Sequence, residues 1–225
     1  MAVYAGRPVT RGAGEEVVTA AHAPIADPAP LGLAAFAGTT MMLSAINAGW
    51  VSKAVAPAVL GMALFYGGAA QLLAGMWEFR RNNTFAAAAF SSFGAFWLSF
   101  WALNQFYADK IPAAQAGDAV GLFLLAWAIF TTYMFIASMR VSVAVATVFI
   151  LLAATFWFLA FGEFQTSSNL TKIGGYIGIA TAAVAWYTAF AGVVNETWKR
   201  TVLPVGHTAP PAAAIGKTEP TETAG

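Results

Sequence analysis

Residues 119–161 read AVGLFLLAWAIFTTYMFIASMRVSVAVATVFILLAATFWFLAF, and Arg140 is the one charge in the run. As a single helix this stretch would be about twice as long as the hydrocarbon core of a bilayer is thick. The chain therefore has to reverse near Ser138-Met139-Arg140-Val141-Ser142, giving two antiparallel spans, Ala119–Met139 and Val141–Phe161. A spanning helix needs about 20 mostly apolar residues. Four more stretches qualify: Leu31–Trp50, Pro57–Trp77, Phe85–Phe106 and Ile173–Val194. Each is too long for a barrel strand and lacks period-two alternation. The expected fold is an all-α integral membrane protein with six transmembrane helices.

Composition points the same way. Hydrophobic residues make up 59% of the 225 and charged residues 9%, against about 25% charged in soluble domains. So few charges cannot cover a water-facing surface. The net charge of +1 suggests no nucleic-acid partner. There is no Cys, and the two histidines, His22 and His207, lie in polar end segments. That excludes thiolate chemistry, Cys-based metal sites and a histidine base inside the membrane. No metal or cofactor is called for, and an intramembrane enzyme lacks the inventory it would need.

With six spans both termini share a side. That side carries Arg7, Arg11, Arg80, Arg81, Arg140, Lys199, Arg200 and Lys217; the other carries Lys53, Lys110 and Lys172. Eight against three predicts cytoplasmic termini. Residues 1–26 and 207–225, rich in Ala, Pro, Thr and Gly, read as disordered cytoplasmic tails around a transport domain at 27–206. The N-terminal segment mixes Arg7 and Arg11 with Glu15 and Glu16 and does not read as a signal peptide.

The spans avoid charge: Glu78, Glu163 and Glu196 sit at helix ends, and no Asp, Lys or Arg falls in mid-span. A path through such a protein would be lined by hydroxyls, amides and aromatics. The first span offers Thr39, Thr40, Ser44 and Asn47, of which Thr40, Ser44 and Asn47 share a helical face. Helix–helix hydrogen bonding and a polar pore stripe both fit that pattern. Gln71, deep in the second span, is the strongest single candidate, because its amide both donates and accepts. Tyr66, five residues earlier, falls on a different face but can border the same cavity if the helix is central. Gly174 and Gly178 form a GxxxG that suits close packing. Asp27-Pro28-Ala29-Pro30-Leu31-Gly32-Leu33 opens the first span, with Asp27 placed to cap it. Both a rigid helix start and a helix N-terminus open to an anion fit this segment.

Several motifs, in order along the chain, carry a resemblance. Asp27–Leu33 resembles the Asn-Pro-Ala-Pro-Leu-Gly-Leu signature of the acetate uptake transporter family. So do Phe65-Tyr66-Gly67-Gly68-Ala69-Ala70-Gln71 with Ala74-Gly75, Asn82-Asn83-Thr84-Phe85, residues 89–97, and Asn195-Glu196 with residues 200–206. The resemblance implies a plasma-membrane protein (inner membrane in a Gram-negative bacterium) forming a homohexamer, with acetate, or succinate or lactate, passing through each protomer. It implies an apolar constriction matching Phe36, Phe93 and Leu152, with Phe93 where the family has Tyr. Asp27 replaces the family's Asn, a change expected to weaken anion attraction at the mouth. Thr39, Thr40, Tyr66 and Gln71 are the expected substrate-binding residues. Ammonia or ammonium export, and a non-transporting membrane sensor, are the competing functions.

Overall fold

The computed structural model describes residues 25–208. They form six helical spans: α1 Ala29–Asn47, α2 Lys53–Arg80, α3 Thr84–Lys110, α4 Ala113–Ser138, α5 Val143–Phe164 and α6 Ser168–Trp198, each long and apolar enough to cross a membrane. Among the described residues there is no strand, only an isolated bridge between Ser142 and His207. The all-α expectation holds. Of the two expected tails, residues 1–24 and 209–225 lie outside the described residues. His207, assigned from sequence to the C-terminal tail, is instead held against Ser142 at the start of α5.

Local chemistry sets where the spans begin and end. Between α4 and α5 the chain reverses over Met139–Val141, and the Ser142 hydroxyl caps α5 by accepting from the Val145 N–H at 3.1 Å. At α1 the cap shifts by one residue from expectation. Pro28 already has near-helical dihedrals and occupies the N-cap, so Asp27 Oδ1 reaches past it to the first free donor, the Ala29 N–H, at 3.0 Å. Gly49, with φ +82°, turns the chain in the left-handed region glycine favours, which ends α1 at Asn47, short of the expected Trp50. The last helix is longer than expected at both ends: Ser167 caps its start and Lys199, at φ +52°, closes it.

Small residues decide how the spans approach. A Cβ on Gly178 would lie 2.2 Å from Ser44 Oγ, and one on Gly175 2.3 Å from the Ala48 nitrogen. These glycines bring α6 against α1 with no room for a side chain. Gly75 meets the Ser91 backbone in the same way, joining α2 to α3. Midway, α2 relaxes into a π-helical segment, Phe65–Ala70, where Gly67 lets Thr39 and Trp97 press close to the backbone. The α4–α5 hairpin packs α5 inward against α6 and leaves α4 peripheral. The apolar core gathers around Phe93, with Phe36, Phe96, Phe149, Leu152 and Phe156.

After α6 the chain folds back. Asn195 Oδ1 accepts from the N–H groups of Val202 (2.7 Å) and Leu203 (2.9 Å), and its Nδ2 donates to the Leu203 carbonyl at 2.8 Å. This aims Val205 and Gly206 at α5, where their carbonyls accept from Ala144 N–H (3.0 Å) and Val143 N–H (2.7 Å). Two donors that a helix N-terminus leaves open are thereby satisfied.

Candidate functional site: a row of cavities through an aromatic neck

Four cavities follow one another through the protein. A vestibule of about 710 Å³ opens where α1 begins and α6 ends, lined by residues as far apart in sequence as Asp27 and His207. It shares Leu33, Asn83 and Val145 with a near chamber of about 110 Å³. A far chamber of about 40 Å³ comes next, then a basin of about 170 Å³ reached past Leu43, Asn47 and Phe100. Even the smallest of these exceeds the roughly 10–15 Å³ that one water needs.

Phe36 and Leu152 line both the near and the far chamber and are, among the described residues, the only ones common to the two. They form the partition. Phe93 stands beside it, its ring centroid 5.7 Å from that of Phe36. All three are buried, at 4%, 2% and 3% exposure for Phe36, Leu152 and Phe93. Phe36, Phe93 and Leu152, the three residues expected at a constriction, lie together at this boundary between the two chambers. Phe93 is also ringed by Phe130, Phe149, Phe156 and Trp127, with centroids 5.3–6.5 Å away. Phe149, Leu152 and Phe156 follow i, i+3, i+7 spacing on one face of α5, a signal present in the sequence.

Polar groups stand on both sides of the neck. In the near chamber the Gln71 side chain is buried and its Oε1 has no hydrogen-bond partner. Turned end for end, the amide would present N–H there. On the far side, Thr40 Oγ1 and Trp97 Nε1 are both buried without a partner, and both residues line the far chamber. The other buried threonines differ from Thr40. Thr39, Thr131, Thr155, Thr181 and Thr188 each donate to the carbonyl four residues back, at 2.7–3.0 Å. That bond is the usual refuge of a helix hydroxyl, and Thr40 does not take it.

The other two candidate binding residues lie elsewhere. Thr39 packs against Gly67, and Tyr66 is half-buried beside Gly38; neither lines the near or the far chamber. Of the signature segment, Ala29 and Leu33 line the near chamber, Pro30 joins them in the vestibule, and Gly32 seats the Phe90 ring. Asp27 does not stand as a free negative charge at the mouth: it forms an ion pair with Arg81.

Behind that pair lies a group that sequence reasoning set aside as a helix-end charge. The Glu78 side chain is fully buried. Its Oε2 accepts from Asn83 Nδ2 at 3.0 Å and lies 3.7 Å from Arg81. Its Oε1 has no partner. Burial arises because the chain turns immediately after Arg81. Asn82, at φ +57°, ends α2, and Asn83 caps α3 by accepting from the Ala86 N–H at 3.2 Å. Asn83 thereby covers Glu78 and faces both the vestibule and the near chamber.

The sequence profile of the GPR1/FUN34/yaaH family matches residues 13–209. The chain is 42% identical over 178 residues to ammonia transport outward protein 2 of Saccharomyces cerevisiae, an alignment covering 76% of this chain and 62% of that protein, less than two thirds of its length. It is 37% identical over 182 residues to the succinate-acetate/proton symporter SatP of Escherichia coli, covering 81% of this chain and 96% of the symporter. Among solved structures, the bacterial acetate channel SatP superposes with a TM-score of 0.76 at 36% identity, covering 81% of this chain and all of that one.

Proposed function

Since the chain belongs to the GPR1/FUN34/yaaH family, we infer that it carries a small monocarboxylate, acetate foremost, across a membrane along the row of cavities. One observation carries this reading: unpartnered hydrogen-bonding groups, Gln71 on one side and Thr40 with Trp97 on the other, straddle an apolar partition of Phe36 and Leu152 with Phe93 beside it. Acetate is a charged end and a methyl. In the near chamber the Gln71 amide donates to the carboxylate while the methyl rests on Phe36 and Leu152. Beyond the neck the Thr40 hydroxyl and the Trp97 indole N–H take the carboxylate over. Burying a charge without such donors is expensive. Neutral donors hold the anion without trapping it, as a path must if the substrate is to leave.

Purified protein in liposomes should take up labelled acetate above the level of protein-free vesicles. Gln71→Leu should lower the rate about 10-fold or more at equal protein, since a hydrogen bond to a charged group is worth roughly 1.5–3 kcal/mol. Uptake no greater than in protein-free vesicles would refute the reading. The name of the yeast relative keeps ammonia in the comparison. Ammonia is neutral and needs no donors at a neck, so ammonia flux that ignores Gln71 and Thr40 alongside absent acetate flux would favour that function.

Three further readings belong with this one. The excess of basic residues on the terminal side supports cytoplasmic termini in a plasma membrane; labelling of either tail in intact cells would overturn it. Residues 27–206 act as the transport unit. The family resemblance supports a homohexamer with a path in each protomer, which native mass measurement of the purified protein tests.

A further inference from the structure

We propose that Glu78 is a proton-binding site linked to substrate: acetate is admitted to the near chamber more readily when Glu78 carries a proton. The proposal rests on the acetate-transport reading and adds a second, ionic ligand to it. The first observation is geometric. Glu78 is fully buried, yet it sits one residue layer behind Asn83, which lines both the vestibule and the near chamber. The second is the orphaned Oε1, a buried carboxylate oxygen with no donor to accept from. A proton from water in the vestibule adding there converts the carboxylate to a neutral acid and makes Oε1 a donor. The same proton returns to water when the acid ionises.

Linkage follows from what Glu78 shares with an arriving anion. When ionised it engages Asn83 Nδ2 and lies 3.7 Å from Arg81. Both donors line the vestibule, and Asn83 lines the near chamber as well. Hydrogen bonds to an ionised acceptor are about twice as strong as neutral ones, so ionised Glu78 keeps the amide to itself and repels a second carboxylate. Once neutral, it holds the amide about half as tightly and has no charge to repel the anion. The remaining charges around it are Asp27, paired to Arg81, and Glu196, Lys199, Arg200 and His207 farther out around the vestibule. Lys199 is paired with Glu196 and Arg200 lies over the Trp198 ring at 5.6 Å. Of the described carboxylates in this group, Glu78 alone is buried. Coupling between two ligands is reciprocal, so acetate binding must also draw a proton onto the protein.

The test is labelled-acetate exchange in proteoliposomes at equal pH on both sides, with protein-free vesicles subtracted, from about pH 6 to about pH 8. In the wild type the half-saturating acetate concentration should rise with pH, by at most about tenfold per unit for one linked proton. Glu78→Gln should flatten that dependence near the low-pH value, and Glu78→Asp should restore it. His207→Gln should leave the slope in place. A slope that survives Glu78→Gln, or disappears with His207→Gln, overturns the proposal. A second measurement needs no variant: adding pH-matched acetate to weakly buffered wild-type protein should draw protons from solution. Exchange that proceeds with no pH slope and no proton uptake refutes the role of Glu78 and leaves transport standing. Exchange no greater than in protein-free vesicles refutes the transport reading, and the proposal with it.

Discussion

Thr40→Val should make the protein more stable and less able to transport. The two residues have nearly the same shape, so packing around position 40 is preserved. What disappears is a buried hydroxyl that bonds to nothing in the protein. Holding such a group costs about 1–3 kcal/mol. Its removal should therefore raise the melting temperature by about 2–4 °C for each kcal/mol recovered. If the hydroxyl serves the carboxylate as it leaves the neck, its loss removes a bond worth about 1.5–3 kcal/mol, or roughly 10- to 100-fold in flux at about 1.4 kcal/mol per decade. The neighbouring substitution Thr39→Val is the control. Thr39 already donates to the Ala35 carbonyl at 3.0 Å and packs against Gly67, so its loss should leave flux within about twofold. Labelled-acetate flux in liposomes at matched protein density, with thermal unfolding in detergent, measures both quantities. Undiminished flux in a Thr40→Val protein that is folded and no less stable would refute the assignment of a carboxylate to this hydroxyl.

Leu152→Ala removes half of the partition and should join the near and far chambers. The lactate-to-acetate flux ratio should rise severalfold, at a stability cost near the low end of the roughly 2–5 kcal/mol range for such changes, because the site already borders open space. Phe93→Tyr adds a hydroxyl beside the near chamber; succinate flux should gain on acetate, and an unchanged ratio at every pH would show that polarity at this position does not set selectivity.

The six spans were legible because a bilayer leaves a chain few options: long apolar runs become helices, and the lone Arg140 marks a reversal. Phe36, Phe93 and Leu152 were named only through the family resemblance, and the α5 face that adjoins them could have been read from its spacing. Thr39 and Thr40 show where sequence stops. Adjacent residues on a helix point about 100° apart, and only the seat of α1 against α2 and α6 decides which faces the path. Trp97 resembles any packing tryptophan until its N–H is found without an acceptor. Glu78 was passed over because a charge two residues from a helix end ordinarily reaches water. Its burial depends on the turn at Asn82 and on Asn83 folding across it.

The return of residues 202–206 onto α5 bears on how the protein is made. The helix that carries half of the neck is synthesised before α6, yet the carbonyls that complete its first turn belong to Val205 and Gly206, which are made after it. A chain truncated after Trp198 would keep all six spans yet lack the two acceptors that finish the first turn of α5. Assembly is thus closed by a segment made after the last span, a step that insertion of the helices alone does not complete.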